Sequence, residues 1–283
     1  QLNIKIPIIN ASYEGIYRAD SAKIDGTFKQ SGLSIPLVLS RKVFEKVVSN
    51  RPQEPTTFPY EQVEVTFINP KGGHRLAGTL TIPDQKQFKQ VVVLITGSGA
   101  QDRNSELLGH RLFLVLSDYL TRNGIAVLRY DERGVGQSTG DFSTATSKDL
   151  ADDVIAAVNY LKNRPDMKGK QFGLIGHSEG GLIAPIVASH IELDFVTLLA
   201  APGIPITDLM KLQVQKTNEA AGVPPIIVEE NIALSTKLYE FVNDNSELSN
   251  SELEQAMIEF GKKEYATAPA VVKTIEEQAP QLS

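Results

Sequence analysis

A serine between two glycines is the most reactive arrangement in this sequence. Gly176-His177-Ser178-Glu179-Gly180 follows an apolar run, Phe172 to Ile175, and precedes Leu182 to Ile191, whose pattern is that of a helix. A serine on so sharp a strand-to-helix turn is pushed out of the backbone, and the turn has room only for glycine two residues before and after it. The spacing therefore predicts that Ser178 is a nucleophile for acyl transfer.

The residue after the serine adds a second feature of such a site. The backbone amide of Glu179 begins the predicted helix, where N–H groups are unpaired and carry partial positive charge. An oxyanion formed on a carbonyl attacked by Ser178 would accept a hydrogen bond at this place. A chance Gly-x-Ser-x-Gly is expected roughly 0.1 times in a chain of this length. The pattern therefore favours a catalytic site over a coincidental turn.

Composition narrows the class of protein without indicating a reaction. The 283 residues are 41% hydrophobic and 22% charged, as in ordinary globular proteins, and the net charge of −6 does not favour nucleic-acid binding. No apolar stretch approaches the length of a membrane span. The absence of cysteine excludes disulfides, thiol catalysis and thiolate metal sites.

The pattern of strands and helices changes twice along the chain. Residues 1–50 predict part of an antiparallel β module with a short helix at 41–49, and the proline-rich residues 51–59 predict an extended linker. Residues 60–205 alternate buried strands with amphipathic helices, which predicts a mostly parallel sheet flanked by helices. Residues 206–283 predict three helices. We interpret these helices as a lid over the site, and packing on the sheet alone is the alternative.

Three motifs follow predicted strands, at residues 94–103, 129–138 and 176–180. With these motifs the chain from residue 60 resembles bacterial α/β-hydrolases of the serine esterase and serine aminopeptidase-like group. The leading strands resemble the end of a β-rich module that precedes the hydrolase domain in some of them. The resemblance implies an α/β-hydrolase fold with a helical lid insertion, a small-molecule ester as substrate, and neither cofactor nor metal. It favours a periplasmic or secreted protein over a cytoplasmic one.

The resemblance also implies roles within the first motif. The Ser98 amide is expected to be the second oxyanion donor beside Glu179, with the Gly99 amide as the alternative to Ser98. Gln101, Arg103 and His110 follow this loop and are candidates for contacts with substrate. For each of these three, a structural hydrogen-bonding role is the alternative.

The middle motif is glycine-rich but does not match a phosphate-binding loop. No Gly-Lys-Ser or Gly-Lys-Thr follows it, and no helix starts directly behind it. We interpret Asp131 and Arg133 as residues that organise the loop around the site.

The sequence offers Ser178 no clear general base. In this fold the triad runs serine, acid, histidine, and only His190 of the four histidines follows the serine. At 1.5 Å per helical residue, His190 lies roughly 18 Å along the helix and is out of reach. His110 could approach from the loop side, but its place in the chain order is wrong. We therefore expect the triad acid and histidine in a remaining C-terminal part of the same protein.

These observations predict a carboxylesterase-like serine hydrolase that forms an acyl-enzyme on Ser178. A peptidase or lactonase of the same fold is the alternative within the family. A non-catalytic binding protein with a hydrolase-like pocket is the alternative outside it. Neither nucleic acid nor a membrane is an expected partner.

Overall fold

The computed structural model describes residues 1–6, 11–30, 33–41, 51–84 and 88–267. The chain forms two compact units. One is Asn50–Leu209, and the other combines Gln1–Ser49 with Met210–Ser283. The short helix expected at 41–49 lies, apart from Arg41, outside the described residues.

A four-stranded antiparallel sheet begins the chain, which confirms the predicted antiparallel β segment. Its strands, in the order in which they lie across the sheet, are β1 (Leu2–Ile6), β2 (Ala11–Arg18), β3 (Lys23–Gln30) and β4 (Leu33–Ser40). The ring of Tyr13 covers Gly26, where a Cβ would lie 2.4 Å from ring atoms. The Tyr13 hydroxyl donates to the carbonyl of Leu37 at 2.9 Å, so one side chain links the strands β2 and β4 across β3.

A six-stranded mixed sheet forms the centre of the unit at residues 50–209. Its strands are β5 (Glu61–Ile68), β6 (Arg75–Ile82), β7 (Gln90–Ile95), β10 (Ile125–Tyr130), β11 (Gln171–His177) and β12 (Phe195–Leu199). The short strands β8 (Glu106–Leu107) and β9 (His110–Arg111) form a separate hairpin. The order across the sheet is β12-β11-β7-β10-β6-β5. Four neighbouring strands, β12, β11, β7 and β10, run parallel to one another. β6 is antiparallel to β10, and β5 is antiparallel to β6.

Helices cover both faces of this sheet, as the alternation of strands and helices predicts. They are α1 (Leu112–Arg122), α2 (Ser147–Lys162) and α3 (Gly180–Ala188). Along β7, Val92 and Leu94 pack with Phe113 of α1, whereas Val91 and Val93 pack in the cluster that contains α2 and α3. Because successive strand residues point to opposite faces, the continuous apolar run buries both sides. The α/β-hydrolase fold predicted from the sequence is confirmed.

The register of the sheet brings the connections after β7, β10 and β11 to the same edge. Ile95, the last residue of β7, pairs with Gly176 of β11. The loop after β7 therefore lies beside the turn after β11, and the loop after β10 lies on the other side of β7. Ligands of parallel sheets bind at this carboxyl edge of the strands.

The segment at residues 51–59 is attached to the core by hydrogen bonds. Glu54 accepts a hydrogen bond from Nη2 of Arg111 in β9 at 2.5 Å. Arg122 of α1 donates to the carbonyl of Thr57 at 2.6 Å. These bonds hold the segment against β9 and α1, and its role as an extended linker between domains stays a prediction.

Three helices follow the sheet, as predicted: α4 (Ile206–Ala220), α5 (Pro225–Asp244) and α6 (Asn250–Thr267). Phe241 of α5 stacks on Phe260 of α6 with ring centroids 4.6 Å apart. Their assignment as a lid stays a prediction. No helix in the described part of the chain is both long and apolar enough to cross a membrane.

Candidate active site

Ser178 occupies the turn between β11 and α3 in an unusual backbone conformation. Its φ is 53°, in the left-handed region that residues other than glycine rarely adopt. Such a conformation costs about 1–3 kcal/mol and persists only where the surroundings impose it. Here the Ser178 amide donates to the carbonyl of Leu199, at the end of β12, at 2.9 Å. The geometry is that of a nucleophile elbow.

The two glycines around the serine are required by close backbone contacts. A Cβ on Gly176 would lie 2.1 Å from the carbonyl oxygen of Gly180. A Cβ on Gly180 would lie 2.3 Å from the carbonyl oxygen of Ile95 in β7. Both neighbours are backbone atoms of packed elements, so neither contact can be relieved by a side-chain rotation.

The loop after β7, residues 96–101, lies close to the serine, and we call it the oxyanion loop after the role predicted for it. The position of a Cβ on Gly97 would lie 3.2 Å from Cβ of Ser178, so the two backbones are close. The next residue, Ser98, is exposed, and Gly99 has a φ of 92°. Among the described residues, no acceptor bonds to the amides of Ser98 or Glu179. Both amides are therefore available to a ligand, and their role in an oxyanion hole stays a prediction.

The side chain of Gln101 holds this loop from within. Its Nε2 donates to the carbonyl of Gly97 at 2.9 Å and to that of Ser98 at 3.1 Å. Its Oε1 accepts from the hydroxyl of Ser105 at 2.6 Å. The amide group is thus committed to the loop and its flank, in agreement with the structural alternative for Gln101.

Arg103, the second candidate for a substrate contact, has no free donor. A guanidinium carries five N–H groups. All five find protein acceptors on Asp131, Glu64, Thr79 and Gln137, at 2.5–3.0 Å. The hydrogen bonds to Asp131 raise the pKa of Arg103, which keeps the guanidinium charged. These bonds agree with the structural alternative for Arg103, and its suggested contact with substrate stays a prediction.

Asp131 and Arg133 organise the loop after β10, as interpreted from the sequence. Besides the guanidinium of Arg103, the Asp131 carboxylate accepts from the Gln137 amide at 3.0 Å. Arg133 donates from Nε to the buried Asp153 of α2 at 2.7 Å. These charge-assisted bonds fix both ends of the turn.

Glu132, between these two residues, is a buried carboxylate for which the sequence analysis predicts no role. Its Oε1 accepts from the Thr96 hydroxyl at 2.5 Å, and its Oε2 accepts from the backbone N–H of Gln101 at 2.8 Å. Burial raises the pKa of Glu132 to about 7, against the lowering effect of these two hydrogen bonds. The nearby acids Glu179 and Asp153 raise it further. A pair of acids, Asp131 and Glu132, directly after a buried strand was the signal in the sequence that could have singled it out.

None of the four histidines, all in the described part of the chain, has a described hydrogen bond to Ser178. His190 lies at the end of α3, with Nδ1 2.8 Å from the carbonyl of Ile186. His110 is exposed on β9, and its suggested contact with substrate stays a prediction.

The other two histidines, His74 and His177, are partly buried. His74 Nε2 lies 2.7 Å from Oδ1 of Asp153, in a cluster that also includes Asn69. His177 Nδ1 is buried and has no hydrogen-bond partner among the described residues. In that same part of the chain, no cluster of three or more acidic or histidine side chains could hold a metal ion.

Comparison with known proteins gives the same fold and a family. The profile of the serine aminopeptidase S33 family matches residues 108–249, half of the chain. Esterase EstD of Thermotoga maritima is 27% identical over 236 residues, which cover 81% of this chain and 56% of that protein. An acyl transferase of Photobacterium leiognathi is 30% identical over 125 residues, which cover 44% of this chain and 37% of the acyl transferase.

The chain thus spans about half or less of the length of these curated relatives. Among solved structures, an esterase of Pyrococcus furiosus is similar with a TM-score of 0.46 and 24% identity, over 62% of this chain and 64% of that one. The chain belongs to the serine aminopeptidase S33 family of α/β-hydrolases.

Proposed function

We propose that this protein is a serine esterase that cleaves small carboxylic esters through an acyl-enzyme on Ser178. The observation that carries the proposal is the left-handed backbone of Ser178, held by a bond to Leu199 and by glycine contacts on both sides. A strained residue of this kind is kept where its position serves a function. The turn exposes a hydroxyl beside unpaired amides, which is the arrangement that acyl transfer needs.

The proposed reaction uses the serine and two backbone donors. The Ser178 hydroxyl loses its proton to a base while its oxygen attacks the ester carbonyl, whose oxygen becomes an oxyanion. The amides of Ser98 and Glu179 donate hydrogen bonds to that oxyanion, each worth about 100- to 1,000-fold in rate by comparison with measured cases. The tetrahedral intermediate collapses to the acyl-enzyme and expels the alcohol, and water then releases the acid.

A serine nucleophile also needs a general base. Since no described hydrogen bond joins a histidine to Ser178, the proposal assigns only the nucleophile and the oxyanion hole to the described residues. An ester substrate is supported by the similarity to an esterase over most of this chain. The acyl transferases among the relatives are consistent with the same acyl-enzyme and a different acceptor.

The test uses the full-length protein and compares turnover of p-nitrophenyl acetate, butyrate and octanoate with that of aminoacyl p-nitroanilides. Ser178→Ala removes the nucleophile, and Ser189→Ala is the matched control, since Ser189 ends α3 away from the turn. We expect ester hydrolysis that survives in the control and falls by at least about 1,000-fold in Ser178→Ala. Equal rates in both variants would contradict the nucleophile. Preferred cleavage of the anilides would favour a peptidase, and no turnover by the wild type would favour a binding protein.

A further inference from the structure

The buried carboxyl of Glu132 lies where it can hold the whole oxyanion loop. Glu132 follows β10, and residues 96–101 follow β7, the neighbouring strand in the sheet. One carboxyl oxygen accepts from Thr96, the first residue of the loop, and the other accepts from the amide of Gln101, the last. The Glu132 amide donates to the Gln101 carbonyl at 3.2 Å as a third bond. Glu132 thus joins both ends of the oxyanion loop to the segment that follows β10.

We propose that Glu132 is a positioning residue that sets the distance between the oxyanion loop and Ser178. This inference rests on the proposed function, because it gives a role to a neighbour of the same site. Gly97 and Ser98 lie between the two ends that Glu132 holds, and Gly97 is the part of the loop in contact with Ser178. If the ends move by about 1 Å, the loop amides leave the oxyanion position, and misplacements of that size can cost about 100-fold in rate.

The surroundings of Glu132 show that a simple ion pair does not explain its presence. The side chain is only 5% exposed. The charged groups that act on it from other elements are the acids Glu179, at the start of α3, and Asp153 of α2. Glu179 accepts from the hydroxyl of Ser147 at 2.7 Å, and Asp153 is paired with Arg133. A buried acid among acids is costly, which favours a functional reason for its place.

Both protonation states of Glu132 can keep the loop in place, because a threonine hydroxyl can donate or accept. The ionised carboxylate accepts from Thr96 and from Gln101. The protonated form can donate to the Thr96 oxygen and still accept from the Gln101 amide. Glutamine offers the same pair of groups in the same shape, with an NH₂ toward Thr96 and an oxygen toward Gln101. A glutamine variant therefore separates positioning from charge.

The experiment measures kcat and KM for p-nitrophenyl butyrate in the full chain, per active site titrated with a fluorophosphonate. We expect Glu132→Leu to lower kcat about 100-fold with KM changed less than about 3-fold, and Glu132→Gln to restore kcat to within about 3-fold of the wild type. Thr96→Val, which removes one of the two side-chain bonds, is expected to lower kcat about 10-fold. This variant keeps the test decisive if Glu132→Leu does not fold. Leu161→Ala is the matched control, because it empties a buried position in α2 remote from the loop.

Amide hydrogen exchange of the peptide around residues 96–101 is measured on the same proteins and does not depend on activity. We expect faster exchange there in Glu132→Leu and Thr96→Val, and wild-type exchange in Glu132→Gln. An unchanged kcat together with unchanged exchange in Glu132→Leu and Thr96→Val overturns the positioning role and leaves the esterase proposal intact. The same holds if Leu161→Ala lowers kcat per titrated site as much as those two variants. A wild type with no titratable serine, combined with faster exchange in Glu132→Leu, overturns the esterase proposal and retains the hold on the loop.

Discussion

Replacing Glu132 by glutamine changes how the stability of the fold depends on pH. The substitution removes a titrating group and keeps its shape and its hydrogen-bonding partners. Burial raises the pKa of Glu132 from the ordinary 4.5 to about 7. The difference between those two pKa values corresponds to about 3 kcal/mol in the free energy of unfolding.

The sign follows from where the proton is bound. Between about pH 4.5 and 7 the folded protein keeps the Glu132 proton while the unfolded chain releases it, so wild-type stability falls as the pH rises through this range. Above about pH 7 this loss of wild-type stability no longer changes with pH. Glutamine does not titrate, so the variant lacks this fall. We expect the stability of Glu132→Gln relative to the wild type to be about 3 kcal/mol greater at pH 8 than at pH 4.5.

Urea denaturation followed by circular dichroism at pH 4.5, 6 and 8 measures the effect. Comparing the two proteins at each pH cancels the titration of all other groups and any pH-independent effect of the substitution. Glu192→Gln, at an exposed acid of the same unit, is the control for the loss of a surface charge. A difference between Glu132→Gln and the wild type that is flat within about 0.5 kcal/mol from pH 4.5 to 8 would refute the raised pKa of this carboxyl.

Three other substitutions test contacts around the site. Gly180→Ala is expected to lose at least about 3 kcal/mol of stability because its Cβ would meet a β7 carbonyl at 2.3 Å, while Gly203→Ala, with open space around it, is expected to be tolerated. Equal melting temperatures for the two would contradict the tight turn. Arg103→Lys is expected to cost about 2–4 kcal/mol in urea denaturation, since an ammonium cannot replace five guanidinium donors; a change below about 0.5 kcal/mol would argue against that network. Asp153→Asn is expected to cost about 3–5 kcal/mol because it removes the charge that compensates the partly buried guanidinium of Arg133, and wild-type stability in the same assay would disprove the pairing.

The elements of the sheet and the sharp turn at Ser178 were predictable because their signals are local. The continuous apolar run Val91–Val93 indicated a strand buried on both faces, and the glycines around Ser178 marked a sharp turn within five residues of sequence. The strand-and-helix alternation then limited the topology, since parallel strands need crossover helices. The fold was confirmed for these reasons.

The supports of the site were not predictable because they join residues distant in sequence. The bond between Thr96 and Glu132 spans 36 positions and exists only because β10 lies beside β7. The attachment of the predicted linker depends on Glu54 and Arg111, which are 57 positions apart. No periodicity in either segment indicates its partner. The lid, the oxyanion donors and the substrate contact of His110 stay predictions.

Covalent labelling with a fluorophosphonate tests whether Ser178 is an activated nucleophile, because unactivated serines do not react with it. We expect one label per chain, on the peptide that contains residues 176–181. The label is expected to persist in Ser189→Ala and to be absent from Ser178→Ala. A label that remains in Ser178→Ala, or a folded wild-type protein that takes none, would contradict the assignment of Ser178 as the nucleophile.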